Sequence, residues 1–171
     1  MKKLVLSVAL VATGLFASAQ EVSYGVKAGA NFATVGGSDV EDADELTSYH
    51  VGGYANIKLD DQFAIQPEVL VSGQGAGEWK PTYINIPVMA KYYFAEGFNA
   101  ELGPQLGFMV GKDDLENENV VDFGLAAGVG YELENGLNFG VRYVYGITNV
   151  MQDFKAQNRV LQVGVGYTFK K

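Results

Sequence analysis

The 171-residue sequence predicts an all-β protein, an eight-stranded antiparallel up-and-down transmembrane β-barrel. Three observations carry that expectation. Apolar and polar residues alternate with period two through eight segments, the pattern of strands with one wet and one dry face. The connections alternate between tight turns and long loops, as in a meander whose two ends lie on opposite sides of a membrane. The aromatic residues crowd the face that carries no charge, and the glycines crowd the face that carries all of it.

The first twenty positions stand apart from this pattern. Met1, Lys2 and Lys3 form a basic start, Leu4 to Phe16 an apolar stretch, and Ala17-Ser18-Ala19 a small-residue cleavage site. Residues 1–19 therefore read as a cleaved secretory leader and residues 20–171 as the barrel domain. Loss of Lys2 and Lys3 takes the formal charge from −8 to −10. That acidity disfavours a nucleic-acid partner, which needs a basic face. The absence of cysteine removes disulfides and thiolate metal sites. Beyond the leader no run of eighteen apolar residues is available for a membrane helix. Strands give no such run and stay possible.

The first strand segment is Val22–Phe32, with Val22, Tyr24, Val26, Ala28, Ala30 and Phe32 on one face and Ser23, Gly25, Lys27, Gly29 and Asn31 on the other. The alternation recurs over Tyr49–Leu59, Phe63–Ser72, Tyr83–Phe94, Phe98–Val110, Phe123–Leu133, Leu137–Thr148 and Val160–Phe169. The tight turns are Asp60-Asp61-Gln62, Ala95-Glu96-Gly97 and Glu134-Asn135-Gly136. Three residues ending in glycine suit a type I turn closed by a left-handed residue, although Gln62 departs from that form. The long connections run over 33–48, 73–82, 111–122 and 149–158. Strands of ten or eleven residues tilted by ~45° cover a band of roughly 25 Å, the height of a thin bilayer.

A soluble periplasmic β-barrel that binds a lipid or other apolar ligand shares the alternation but needs its apolar face inside. Charge and volume separate the two. Lys27, Lys58, Lys91 and Arg142 share the polar parity with Glu68, Glu101, Asp122 and Glu132, and the two signs cancel. The interior of an eight-stranded barrel is just wide enough for side chains to fill. The bulky aromatics cannot all fit there, whereas glycines let tightly curved strands approach one another. The aromatics also gather near strand ends, as interfacial girdles do: Phe63, Phe94, Phe98, Tyr131, Tyr167 and Phe169 at the turn end, and Phe32, Tyr49, Phe108, Phe123 and Tyr145 at the loop end. The membrane barrel is the expectation. Its net charge sits on the rims, above all in Asp39, Glu41, Asp42, Asp44 and Glu45 and in Asp113, Asp114, Glu116 and Glu118.

Ile65-Gln66-Pro67-Glu68-Val69-Leu70, then Tyr83-Ile84-Asn85-Ile86-Pro87 through Lys91-Tyr92-Tyr93-Phe94, then Ala100-Glu101-Leu102-Gly103-Pro104 form a recognisable succession. It resembles the PorT-like family of small outer-membrane β-barrel proteins. The resemblance implies an outer-membrane location with both termini in the periplasm. One branch of the family is linked to protein secretion across that membrane, so an envelope or secretion partner reached through the loops is a further implication. The last strand looks like the carboxy-terminal insertion signal read by the barrel-assembly machinery: Gln162, Gly164, Tyr167 and Phe169, with Lys170 and Lys171 trailing.

Enzymatic chemistry finds little support. A hydrolase needs a nucleophile and a base within hydrogen-bond reach. The single histidine, His50, lies on the polar parity near the loop end, with Ser48 and Ser72 as neighbours, and faces away from a lipid substrate. An ordinary rim histidine making a hydrogen bond is the expectation. The Asp39–Glu45 cluster carries carboxylates of the kind Ca²⁺ takes, but without the ligand spacing of an EF-hand loop. Gly128-x-Gly130 opens no helix and lacks a lysine partner, so no phosphate loop or other cofactor site is expected. Pairing Phe94 with Phe98 across the turn sets Lys91 directly opposite Glu101, both facing inward, with Glu68 and Arg142 at similar depth. A narrow interior cannot leave charges unpaired. The expected outcome is a monomeric barrel in outer-membrane lipid, its lumen closed by a mutually neutralising plug.

Overall fold

A computed structural model describes residues 21–36, 46–74, 81–110, 121–148 and 157–169. The leader read over residues 1–19 lies outside them, as do the acidic runs 37–45 and 111–120. Eight strands follow in chain order: β1 Glu21–Gly36, β2 Leu46–Lys58, β3 Phe63–Gly73, β4 Thr82–Ala95, β5 Phe98–Val110, β6 Val121–Glu132, β7 Leu137–Gly146 and β8 Gln157–Phe169. Every neighbour pair is antiparallel, and β8 pairs with β1 to close the barrel. Closure removes the edges that would otherwise carry unpaired backbone groups into lipid.

The strands depart from the expected limits mainly at the loop end. β1 extends past Phe32 to Gly36, β2 begins at Leu46, and β8 begins at Gln157 rather than Val160, while Thr148 falls beyond β7. These extra rows are polar or mixed, so no alternation marks them. The turn end follows the expected chemistry. Gly97 and Gly136 take the left-handed conformation at φ 74° and 94°, which a side chain would strain. The turn without that glycine uses an aspartate instead. Asp60 Oδ1 accepts hydrogen bonds from the backbone N–H of Gln62 and Phe63, both at 2.7 Å. The carboxylate thus does locally what a left-handed glycine does elsewhere. Asp60→Ala is expected to lower detergent-folded stability by about 1 kcal/mol in urea titration, while Asp60→Asn keeps most of it.

Burial alternates along each strand. In β4, Tyr83, Asn85, Pro87, Met89 and Lys91 are buried while Ile84, Ile86, Val88, Ala90 and Tyr92 are exposed. The charged parity faces the lumen and the aromatic parity faces out. The turn-end aromatics form a connected girdle, with ring centroids 5.0 Å apart for Phe63–Tyr92, 6.2 Å for Phe94–Phe98 and 4.5 Å for Phe98–Tyr131. The lumen is less uniformly polar than its parity suggests. Leu70, Tyr83 and Met89 are wholly buried there, and Met89 clusters with Ala33, Leu46, Ala126, Val144 and Val160. Apolar and polar inward side chains share the loop half of the lumen, where Asn31, His50, Ser72 and Asn158 are buried beside Leu46, Val144 and Val160. The interior is packed, not channel-like.

Candidate functional site

The charges on the inward parity form a network within the lumen. Arg142 on β7 is its centre. Its Nη1 and Nη2 donate to Glu68 Oε2 and Oε1 across the barrel at 2.8 and 2.7 Å, and its Nε donates to Glu101 Oε1 at 2.7 Å. The guanidinium fork matches the carboxylate on β3, which is why the long reach from β7 ends in a paired contact. Glu68 also receives Lys27 Nζ at 3.4 Å and Gln66 Nε2 at 2.8 Å. The Glu68 side chain is 0% exposed and that of Arg142 3%. Two cations and two carboxylates therefore neutralise one another inside the barrel. The backbone makes room for them. Glu101 opposes Gly128, and Gly128 opposes Arg142. A Cβ at position 128 would stand 2.6 Å from Val141 O and 3.0 Å from Glu101 Oε1, so only glycine allows the ion pair to pass over β6.

A second pair lies nearer the turn end. Lys91 Nζ donates to Glu132 Oε1 at 2.6 Å and to Gln66 Oε1 at 3.2 Å, and Tyr93 Oη donates to the same Glu132 oxygen at 3.1 Å. This corrects one expectation. The register does set Lys91 opposite Glu101, but the two do not form the ion pair. Lys91 reaches to β6 and Glu101 to β7. Each ion pair skips a strand or crosses the lumen, because long side chains in a narrow barrel lean over a neighbour toward the axis. The turn itself also shifts: Phe98 opposes Ala95 rather than Phe94, after an irregularity between Tyr93 and Ala95.

Two further residues leave the expected network. Lys58 keeps the inward parity but is exposed at the turn-end mouth, because β2 ends there. Asp122 is buried at the loop side and meets no cation among the described residues. It accepts hydrogen bonds from Thr148 Oγ1 at 2.6 Å and Asn158 Nδ2 at 3.1 Å. His50 is an ordinary buried histidine, its Nδ1 2.8 Å from Asn31 Oδ1. Its ring lies over Gly29 and Gly164, where an added Cβ would meet it at 2.6 and 2.9 Å. Ser72 stands opposite His50 in the register, but its Oγ accepts from Asn31 Nδ2. Beside the charges, a cavity of ≈ 40 Å³ is lined by Lys27, Lys91, Asn99, Glu101, Asn138 and Arg142, room for a few waters.

The residues of the carboxy-terminal pattern divide between the two faces of β8. Gln162 is buried toward the lumen and hydrogen-bonds Asn31 at 3.2 Å, Gly164 opposes Gly29 and Gly140, and Tyr167 and Phe169 face out with rings edge-on at 5.5 Å. One lipid-side residue escapes a reading that starts the last strand at Val160. Arg159 lies within β8 on the outward parity.

With polar groups inside and aromatics outside, the lipid-carrier arrangement is overturned. Residues 4–169 match the family model described as outer membrane protein beta-barrel domain. The chain belongs to that family. Its place is the outer membrane, where its outward face meets lipid. Among solved structures, Neisserial surface protein A is 18% identical, with 88% of this chain and 100% of that chain covered at a TM-score of 0.59. The attachment invasion locus protein of Yersinia pestis is 12% identical over 88% of this chain and 100% of that one, at 0.57. A de novo designed transmembrane β-barrel is 12% identical over 86% and 95%, at 0.51. These likenesses show the fold. No curated protein matches the sequence.

Proposed function

We propose that this outer-membrane barrel is a non-enzymatic, non-conducting monomer that works through its loops, as an envelope-integrity, adhesion or secretion-accessory protein. The observation that carries the reading is the closed lumen. Arg142, Glu68, Glu101 and Lys27 neutralise one another across the bore, and buried side chains such as Leu70, Met89, Asn31 and His50 fill the lumen with them. A bore filled by paired charges and packed side chains offers no hydrated ion path, so the exposed chemistry lies outside the barrel. The acidic runs 39–45 and 113–118 supply it. One similar fold belongs to a protein named for attachment, which accords with loop display as a use of such barrels.

On this reading the long loops face outward from the cell and both termini lie in the periplasm after removal of residues 1–19. Gln162, Gly164, Tyr167 and Phe169 would then be presented to the barrel-assembly machinery during insertion. The proline-bearing segments around Pro67, Pro87 and Pro104 support placement within the PorT-like group. The test is electrical and topological. Purified barrel in a planar bilayer is expected to show no steady conductance, and protease added to intact cells should cut within the acidic loops. A stable open level in the wild-type protein would overturn the plug, and loops protected until the outer membrane is breached would overturn the orientation.

A further inference from the structure

The lipid-facing surface carries one charged side chain among the described residues. β8 presents Leu161, Val163, Val165, Tyr167 and Phe169 outward, and the same parity brings out Arg159. Arg159 opposes Tyr145 on β7, a member of the loop-end aromatic girdle. Its guanidinium carbon lies 5.8 Å from the Tyr145 ring centroid. The ring is itself held, since Tyr145 Oη donates to Gln157 Oε1 at 2.9 Å. Arg159 Nε is shielded from solvent, and among the described residues it has no hydrogen-bond partner and no carboxylate pairs with the guanidinium. At this level the charge itself costs little, but the shielded Nε still lacks the acceptor that an anion would supply.

The depth of the site selects the anion. Tyrosine girdles mark the level of lipid headgroups, and the anionic oxygens at that level are phosphates. A planar guanidinium binds phosphate through two parallel hydrogen bonds, a geometry an ammonium cannot reproduce. The ring contact restricts where the guanidinium lies before the ligand arrives, which limits the ordering cost of binding. We propose that Arg159, oriented by Tyr145 and Gln157, forms a seat on the loop-end rim for the phosphate of a membrane lipid headgroup. The proposal rests on the reading that the girdled band spans the bilayer with the long-loop end at one headgroup layer. It needs neither a closed lumen nor a loop partner.

The test uses the full barrel folded in neutral detergent, with bisphosphorylated lipid A, its dephosphorylated counterpart and inorganic phosphate as probes and native mass spectrometry as the readout. The wild-type barrel should retain one phosphorylated lipid. Arg159→Gln should weaken retention about tenfold or more, the usual effect of losing hydrogen bonds to a charged group. Arg159→Lys should fall between them, because charge remains and the fork is lost. The dephosphorylated lipid should not be retained. Displacement of the lipid by millimolar inorganic phosphate alone would identify a free-anion site instead of a headgroup site and overturn the proposal. So would equal retention by Arg159→Gln or by the dephosphorylated probe. Heat-modifiable migration on a gel confirms that each variant is a folded barrel, so a negative result bears on the seat and not on the fold.

Discussion

Replacing Arg142 by methionine should cost about 3–5 kcal/mol of stability, the usual loss when one member of a buried ion pair is removed. Methionine keeps the apolar stem up to the guanidinium, so the loss reports chiefly the charge and the fork. Glu68 and Glu101 are both held by Arg142, at 2.7 Å in each case, and their side chains are 0% and 10% exposed. Without the guanidinium they share a narrow bore with only Lys27 to balance them. The measurement is urea unfolding of detergent-folded or vesicle-inserted protein. Exposed charges at the turns, such as Asp61 and Glu96, are the controls and should shift stability by less than about 0.5 kcal/mol.

The second site of a double-mutant cycle sharpens this. Adding Glu101→Gln to Arg142→Met leaves Lys27 against Glu68, which already lie 3.4 Å apart, and the lumen is again neutral. Adding Glu68→Gln instead is also neutral on paper, but strands Lys27 without the carboxylate it touches. The first double variant should therefore recover more of the loss than the second, with a coupling of about 1 kcal/mol or more. Additive losses in both cycles would show that Arg142 acts by packing alone.

Much of this arrangement was legible before any coordinates, and the exceptions have physical causes. Period-two alternation located all eight strands because each has one face in lipid, and a one-residue slip would reverse every side chain. The length of the tight turn, taken with Phe94 opposite Phe98, placed Lys91 opposite Glu101, and that register holds although Phe98 itself opposes Ala95. Neither could name the ion partners. Backbone register decides which residues oppose, whereas a long side chain inside a tilted barrel goes where space allows, and here Gly128 provides the space. Nor could parity show that Leu70, Met89 and Val144 complete the lumen, since an inward position accepts any side chain that fits. Arg159 was hidden because the loop-end row of Gln157, Asn158 and Arg159 is polar throughout and carries no alternation. The inward side of His50 was readable from its parity, whereas its burial within the lumen rather than at the rim was not.

The outward assignment makes its own prediction, and depth sets its size. Leu102 on β5 is 54% exposed and lies between Phe98 and Phe108, the girdle residues of that strand. Its neighbours across the ladder are Ala90 and Ala127, too small to shelter a charge. An arginine there faces the middle of the hydrocarbon and should cost ~2–4 kcal/mol of insertion free energy. Val129 on β6 is equally exposed but only two residues from Tyr131 at the turn-end girdle. From that position an arginine reaches the headgroups by extending its stem. Leu102→Arg should therefore reduce folding into vesicles strongly, and Val129→Arg should fall nearer the ~0–1 kcal/mol found close to an interface. The readout is the fraction of heat-modifiable barrel after refolding into phospholipid vesicles across a urea series. In a detergent micelle, whose surface adapts to a charge, the gap between the two variants should narrow. An equal, small effect at both positions in vesicles would mean that this face does not meet the hydrocarbon, and that the girdles do not mark its edges.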